Sequence, residues 1–288
     1  MAQDNELAKM VTNHKTGEDD FEYVEVNNNS AHAKIALQGA HIFDYAREGE
    51  EPILWLSEVS SFKYTESIRG GIPICWPWFG LHKDESLPQH GFARTAKFKL
   101  INIDESDANT TELIFTLYST PQTMKLWPYK FELELKVAIS DKLTMELKTT
   151  NTDDKAFLIT EALHTYFAIS HISEISINGL DKKPYLDALS MEQKKQSGKI
   201  TFKQEVDRVY QEVDREILLE DKNRTLKIEN EGSSSVVVWN PWIEKCRRMS
   251  AMKPDSYESM VCIESANAFS DSRVIKPKES HTLKVTIC

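Results

Sequence analysis

From Phe21 onward, apolar and polar residues alternate with a period of two far more often than with the 3.6-residue period of a helix. The clearest case is Phe131, Leu133, Leu135, Val137 and Ile139, interleaved with Glu132, Glu134, Lys136 and Ala138. Ser140-Asp141-Lys142 then turns the chain into Leu143, Met145 and Leu147. Successive side chains of an extended strand point to opposite faces, so this pattern predicts a β-hairpin with one buried and one wet face. Further strand-like runs include FEYVEV, AKIALQ, TELIFTLYS, RTLKIEN, SSVVVWN, SMVCIESA and HTLKVTIC. Polar turn residues such as Glu220-Asp221-Lys222-Asn223 and Glu231-Gly232-Ser233 separate several of them, and Gly39 reads as a turn or bulge. Two segments depart from the strand pattern. Residues 1–20 are polar, with a weak helical spacing of Leu7, Met10 and Val11, and read as a tail or short helix. Residues 181–197, DKKPYLDALSMEQKKQS, read as a loop with a helical turn and a solvated lysine face. With no repeat, low-complexity tract or linker, the expected architecture is all-β: one large twisted antiparallel β-sandwich over residues 21–288.

Composition narrows the partners. The 288-residue chain is 40% hydrophobic, enough for a substantial core, and carries a formal net charge of −10. That balance argues against nonspecific nucleic-acid binding and against an anionic membrane surface, since both reward a basic protein. An anionic ligand would have to be held by a local basic cluster. Cys75, Cys246, Cys262 and Cys288 are scattered, with no CxxC pair, and no apolar run has signal-peptide or membrane-span length. A reduced, cytoplasmic protein without disulfides or zinc is the expectation.

One stretch is neither helix nor regular strand. Ser67 to Arg94, SIRGGIPICWPWFGLHKDESLPQHGFAR, packs two arginines, two histidines, two tryptophans, four glycines and three prolines into 28 residues. Glycine permits tight turns and close approach, proline fixes direction, and aromatics wall a pocket, so this reads as a site-forming loop. Three other places put ionisable residues into apolar runs: His164 in EALHTYF, Asp207 in VDRVY, and Glu264 at the end of MVCIE. Each has a plain structural reading as well. A lone strand histidine is ordinarily a hydrogen-bonded core or edge residue. Asp207 beside Arg208 fits a turn or a surface pair worth about 0–1 kcal/mol. Trp76, Trp78 and Phe79 fit core packing around a rigid turn. Taken jointly, His164, Glu264, Arg69 and Arg94 would form an acid/base pair beside an anion clamp.

The motifs Ser67-Ile-Arg-Gly-Gly-Ile-Pro-Ile-Cys-Trp-Pro-Trp-Phe-Gly80 and Gln89-His-Gly-Phe-Ala-Arg94 resemble the signature of the hexose-6-phosphate mutarotases, or glucose-6-phosphate 1-epimerases, of the aldose 1-epimerase superfamily. The resemblance continues through EALHTYF, VDRVY, VWNPW and MVCIESAN, in order, from about Phe21 to the C-terminus. It implies a galactose-mutarotase-like fold with the sugar in an open cleft. It also implies His164 as general acid, Glu264 as general base, and His90 as a second histidine that orients and polarises the sugar. Asp207 would hold sugar hydroxyls, Gln89 would belong to the substrate-binding set, and Arg69 and Arg94 would grip the phosphate. One departure is Ala251, where an Asp is expected; it bears on loop packing more than on chemistry.

These residue types suit anomer interconversion. The ring oxygen must gain a proton as the C1 hydroxyl loses one. An imidazolium of reference pKa about 6.5 is a donor near neutral pH. A carboxylate is an acceptor whose weak basicity burial can raise. Planar guanidinium groups grip a phosphate bidentately. No cofactor or metal is required, and the expected partner is a small phosphosugar, with the protein a monomer. A noncatalytic carbohydrate-binding sandwich is the main alternative. A metal enzyme using His90, His164 and Glu264 lacks any characteristic ligand spacing. A glycoside hydrolase pairing Asp207 with Glu264 would leave the arginines without a use.

Overall fold

A computed structural model describes residues 10–17 and 19–288. Two eight-stranded sheets form the body of the protein, accompanied by a four-stranded and a two-stranded sheet. The first large sheet runs Glu192–Lys195, Pro184–Asp187, Val206–Gln211, Ser235–Asn240, Met260–Asn267, Glu161–Leu163, Ile74–Cys75, with Tyr166–Ala168 also paired to Met260–Asn267. The second runs Ser176–Asn178, Glu216–Glu220, Thr225–Glu231, Ser280–Ile287, Leu143–Asn151, Phe131–Ile139, Thr110–Tyr118, Lys99–Asp107. The predicted hairpin is present, Phe131–Ile139 against Leu143–Asn151 in unbroken register, its odd-numbered residues buried and most of its even-numbered ones half-buried. Inward side chains from both sheets, such as Leu133, Leu135 and Val285 from one and Val236, Val238 and Ile263 from the other, join in one apolar core. The all-β sandwich expectation therefore holds.

The first sheet is the one that matters for function, because both of its faces are occupied. Along Ser235–Asn240, Val236 and Val238 enter the main core, while Val237 and Trp239 enter a second, smaller apolar cluster on the opposite face. That second face also carries Cys75, Ala162, Tyr166, Val209, Met260, Cys262 and Ala266. An alternating strand would ordinarily leave this face to water. Here it floors a cleft.

Two segments differ from expectation. Val11–Thr16 is a strand paired antiparallel to Phe21–Asn27, not a tail or helix, while Leu7 lies outside the described residues. Only Val11 is buried in that strand, so its sequence carries no alternation, and backbone pairing to an amphipathic neighbour supplies what the pattern lacks. Within 181–197, Pro184–Asp187 and Glu192–Lys195 form a hairpin at the sheet edge instead of a helical turn. Tyr185 anchors it against Tyr210, with ring centroids 5.0 Å apart, and the outer strand is wholly exposed. Its lysines blunt an edge that would otherwise invite pairing. A short helix, Trp242–Arg248, follows the Ser235–Asn240 strand where the sequence pattern shows none.

Candidate active site

The site begins with a gap in a β-ladder. Glu161–Leu163 and Tyr166–Ala168 both pair with Met260–Asn267, with Leu163 opposite Ser265 and Tyr166 opposite Cys262. Continuing either register across the gap sets His164 opposite Glu264. Residues directly opposed on antiparallel strands project to the same face with Cβ atoms about 5 Å apart. Accordingly, His164 Nε2 lies 3.3 Å from Glu264 Oε1, on the cleft face. Two residues a hundred positions apart thus meet through strand register alone.

The glycine-rich loop is stitched to this pair by its backbone. Pro73 O accepts the His164 N–H at 3.1 Å, and Gly71 O accepts the Tyr166 N–H at 2.9 Å. The hairpin-like return of the loop depends on Gly91 (φ +72°), whose absent Cβ would sit 1.9 Å from Trp76 O. His90, just before it, has φ +65°, an uncommon conformation for a residue with a Cβ. That conformation lets His90 Nδ1 accept the Gly80 N–H at 3.2 Å, while the His90 N–H donates to Gly80 O at 2.8 Å. With Nδ1 accepting, the neutral ring carries its hydrogen on Nε2.

The resulting cleft has a volume of about 570 Å³, and Arg69, Gln89, His90, Arg94, His164, Asp207 and Glu264 all line it. Every sequence-predicted site residue is therefore brought to one place. Arg69 is largely buried: Nη1 donates to Tyr166 Oη at 3.3 Å, and its Nε is buried without a partner. Arg94 is nearer solvent and donates through Nη2 to the backbone oxygen of Gln89 at 2.6 Å. Gln89 itself thus acts on Arg94 through its main chain. Asp207 comes from a strand, not a turn, and lies 3.6 Å from Lys245 Nζ, which also meets Glu205 at 2.9 Å. Arg208 points to the other face, donating to Gln196 Oε1 at 3.2 Å and stacking over Tyr185. Trp76 and Trp78 are core residues, as their plain reading had it, with their indole N–H groups given to Thr149 Oγ1 and Pro88 O. Neither lines the cleft.

Burial dominates the electrostatics. It pushes the Glu264 carboxyl well above its ordinary range, with help from Asp207, and pushes the His164 imidazolium well below its own, with help from His90 and Arg69. Both groups therefore prefer to be neutral, with one proton shared between them. His90 is pushed down to about 3, first by burial and then by Arg94 and Arg69, so it is a neutral hydrogen-bond donor at working pH. An imidazolium near neutral pH is the expectation for His164 alone, and burial opposes that charge in the resting cleft. Burial also pushes the Asp207 carboxyl up, and Lys245 pulls it part of the way back.

Sequence reasoning missed Lys245, Tyr166 and Trp239 as cleft residues. Tyr166 carried a signal, since it shares strand parity with His164, whereas Trp239 faces Asp207 only through the register of two strands, which the sequence does not carry. Lys245 sits on the unpredicted helix and carried none. Ala251, the departure from the motif, has φ +56°, a conformation that a short polar side chain such as Asp tolerates better than Ala.

The sequence pattern that defines the aldose 1-epimerase family matches residues 22–288. A protein from Escherichia coli (strain K12) named "Putative glucose-6-phosphate 1-epimerase" is 34% identical over 267 residues, covering 91% of this chain and 89% of the relative. One of the same name from Cenchrus ciliaris is 36% identical over 259 residues, covering 86% and 78%. The crystal structure of a "putative mutarotase" from Salmonella typhimurium superposes with a TM-score of 0.91 at 32% identity, covering 98% of this chain and 94% of that one.

Proposed function

The chain belongs to the aldose 1-epimerase family, and from that premise we propose that it interconverts the α and β anomers of a hexose 6-phosphate, with glucose 6-phosphate as the preferred substrate. The observation that carries this reading is the conjunction, in one cleft, of the register-opposed His164–Glu264 pair and the largely buried guanidinium of Arg69. Among the described residues no carboxylate pairs with Arg69 or Arg94, so both cations are free for a dianion. A C6 phosphate carries about −1.5 to −2 charges at neutral pH, and a planar guanidinium can grip it with two donors.

The sugar's C1 hydroxyl and its ring oxygen are both bonded to C1, so acid and base must stand close together, as His164 and Glu264 do. In ring opening, Glu264 takes the proton of the C1 hydroxyl and His164 gives one to the ring oxygen as the C1–O5 bond breaks. The aldehyde then turns about C1–C2, and closure runs the same transfers backwards on the other face. Opening leaves Glu264 protonated and His164 neutral, the state that burial favours. Closure itself returns the proton to His164, and the direct contact of the pair lets the neutral resting enzyme pass a proton from Glu264 to His164 before the first opening. Asp207 accepts sugar hydroxyls, and His90, neutral with its hydrogen on Nε2, donates to a sugar oxygen. Each proton transfer of this kind is typically worth about 10²–10⁴-fold.

Anomer exchange of glucose 6-phosphate followed by NMR magnetisation transfer is the test. The expected result is fast exchange by the wild type and its loss in His164→Ala and Glu264→Ala, with the fold retained. Exchange in either variant at near the wild-type rate would overturn the acid/base assignment. Saturable glucose 6-phosphate binding without accelerated exchange would make the protein a sugar-binding module instead.

A further inference from the structure

Beneath the floor of the cleft lies a third group that the acid/base chemistry does not use. Cys262 stands two residues before Glu264 on the same strand and the same face, fully buried. One ligand atom each from His164, Cys262 and Glu264 fall within 4.8 Å of one another, the one such grouping among the described residues. Two further atoms there are buried without partners, Glu264 Oε2 and His164 Nδ1, so the cluster is not a finished hydrogen-bond network.

We propose that His164, Cys262 and Glu264 form a Zn²⁺ site at the base of the sugar cleft, and that the metal filling it excludes the sugar and switches turnover off. One imidazole, one thiolate and one carboxylate are a borderline-soft donor set, suited to Zn²⁺ and not to Mg²⁺ or Ca²⁺, which want oxygen shells. Zinc bonds of about 2.0–2.3 Å imply tetrahedral edges of about 3.3–3.7 Å. The His164–Glu264 separation of 3.3 Å already matches such an edge. The thiol has to approach by about an ångström, within reach of side-chain rotation.

Charge favours the exchange. With Cys262 bound as a thiolate and Glu264 as a carboxylate, the two anionic ligands offset the dication, so the filled site carries no net charge. Arg69 and Arg94 therefore do not oppose it. Burial, which makes a free thiolate costly, ceases to matter once the sulfur is bound to metal. The metal would engage both partners of the acid/base pair at once. It is therefore an inhibitor and not a cofactor, and this consequence rests on the reading of His164 and Glu264 given above.

The binding test reads metal without reference to turnover. Protein freed of metal with EDTA is titrated with Zn²⁺ by calorimetry, and with Co²⁺ by absorption, where a thiolate ligand gives a near-ultraviolet charge-transfer band. The wild type is expected to take one Zn²⁺ per chain in competition with glucose 6-phosphate and to show the cobalt–thiolate band. In the same preparation, anomer exchange should fall as Zn²⁺ is added and return with EDTA. Cys262→Ala, and Cys262→Ser as a second variant, should lose the band and need about tenfold more Zn²⁺ or higher for half-inhibition, since loss of even an outer partner of a metal ligand typically costs 10–100-fold. Both should exchange anomers as the wild type does when metal-free. Absence of the band in the wild type, its persistence in the Cys262 variants, or unchanged zinc sensitivity in them would overturn the site. Loss of exchange on EDTA treatment alone would overturn the inhibitory role. A wild type that binds Zn²⁺ through Cys262 but never exchanges anomers would instead overturn the catalytic reading and leave the metal site standing.

Discussion

Replacing Arg69 by Met should cost far more than the same change at Arg94, and only on phosphorylated sugars. Arg69 is largely withdrawn from water, tethered by Tyr166 Oη at 3.3 Å, and has a buried Nε with no partner. A charge-assisted hydrogen bond at such a site contributes about 1.5–3 kcal/mol, and a guanidinium can make two to one phosphate. The loss expected for Arg69→Met is therefore about 3–6 kcal/mol, or roughly 10²–10⁴-fold in kcat/KM, since each 1.36 kcal/mol is tenfold. Arg94 works nearer water, where an ionic contact contributes up to about 1 kcal/mol, so Arg94→Met should lose only about fivefold. NMR anomer exchange on glucose 6-phosphate and on glucose, measured side by side, gives both numbers and their specificity. Free glucose should react equally with all three proteins. Thermal melting separates binding from structure: a buried guanidinium with no carboxylate is costly to fold around, so Arg69→Met should melt no lower than the wild type. Equal losses on glucose and glucose 6-phosphate, or a larger loss at Arg94 than at Arg69, would refute this account of phosphate binding.

Two further predictions concern buried carboxyls. Burial holds Glu264 protonated in the fold while the unfolded chain ionises it, so at neutral pH it opposes folding. Glu264→Gln should abolish anomer exchange and raise the melting temperature at pH 7; a variant that melts lower would show that the carboxyl is instead stabilised as an ion. Glu161, fully buried 3.4 Å from His281 with neither oxygen hydrogen-bonded, is pushed up to about 8 by burial. Its stabilising protonated form is complete below about pH 4.5 and its contribution declines as pH rises to 8, amounting to about 3 kcal/mol by pH 7 at 1.36 kcal/mol per unit. Urea unfolding at pH 5 and pH 7.5 should show this loss in the wild type and not in Glu161→Gln. Parallel pH dependence in the two proteins would mean that burial does not raise the Glu161 carboxyl.

How far the sequence reveals such a site depends on which physical rule places each residue. Strand parity is local, and it worked: the alternation of Phe131–Ile139 is the alternation observed. The cleft floor obeys the same rule, with Val237, Trp239, Cys262 and Glu264 all on one face. Parity fails where the backbone, not the side chains, does the holding, as in Val11–Thr16 and Glu192–Lys195, whose residues are mostly wet on both faces. The pairing of His164 with Glu264 is a different matter. Each residue is unremarkable in its own strand, and only the register between two strands a hundred residues apart makes them opposite, a quantity with no local signal. The motif resemblance could name them together; it could not show that they touch, nor that shared burial would leave both neutral. Lys245 marks the limit, since it reaches Asp207 from a helix that no apolar periodicity announces. The loop Ser67–Arg94 shows what composition alone can carry. Its glycines and prolines signalled a backbone shaped for a purpose, and that purpose is to set Arg69 and His90 beside a pair lodged in the neighbouring strands. On the function proposed above, selection of the substrate and conversion of it are built by different rules, one by a loop that had to be irregular, the other by a register that had to be regular.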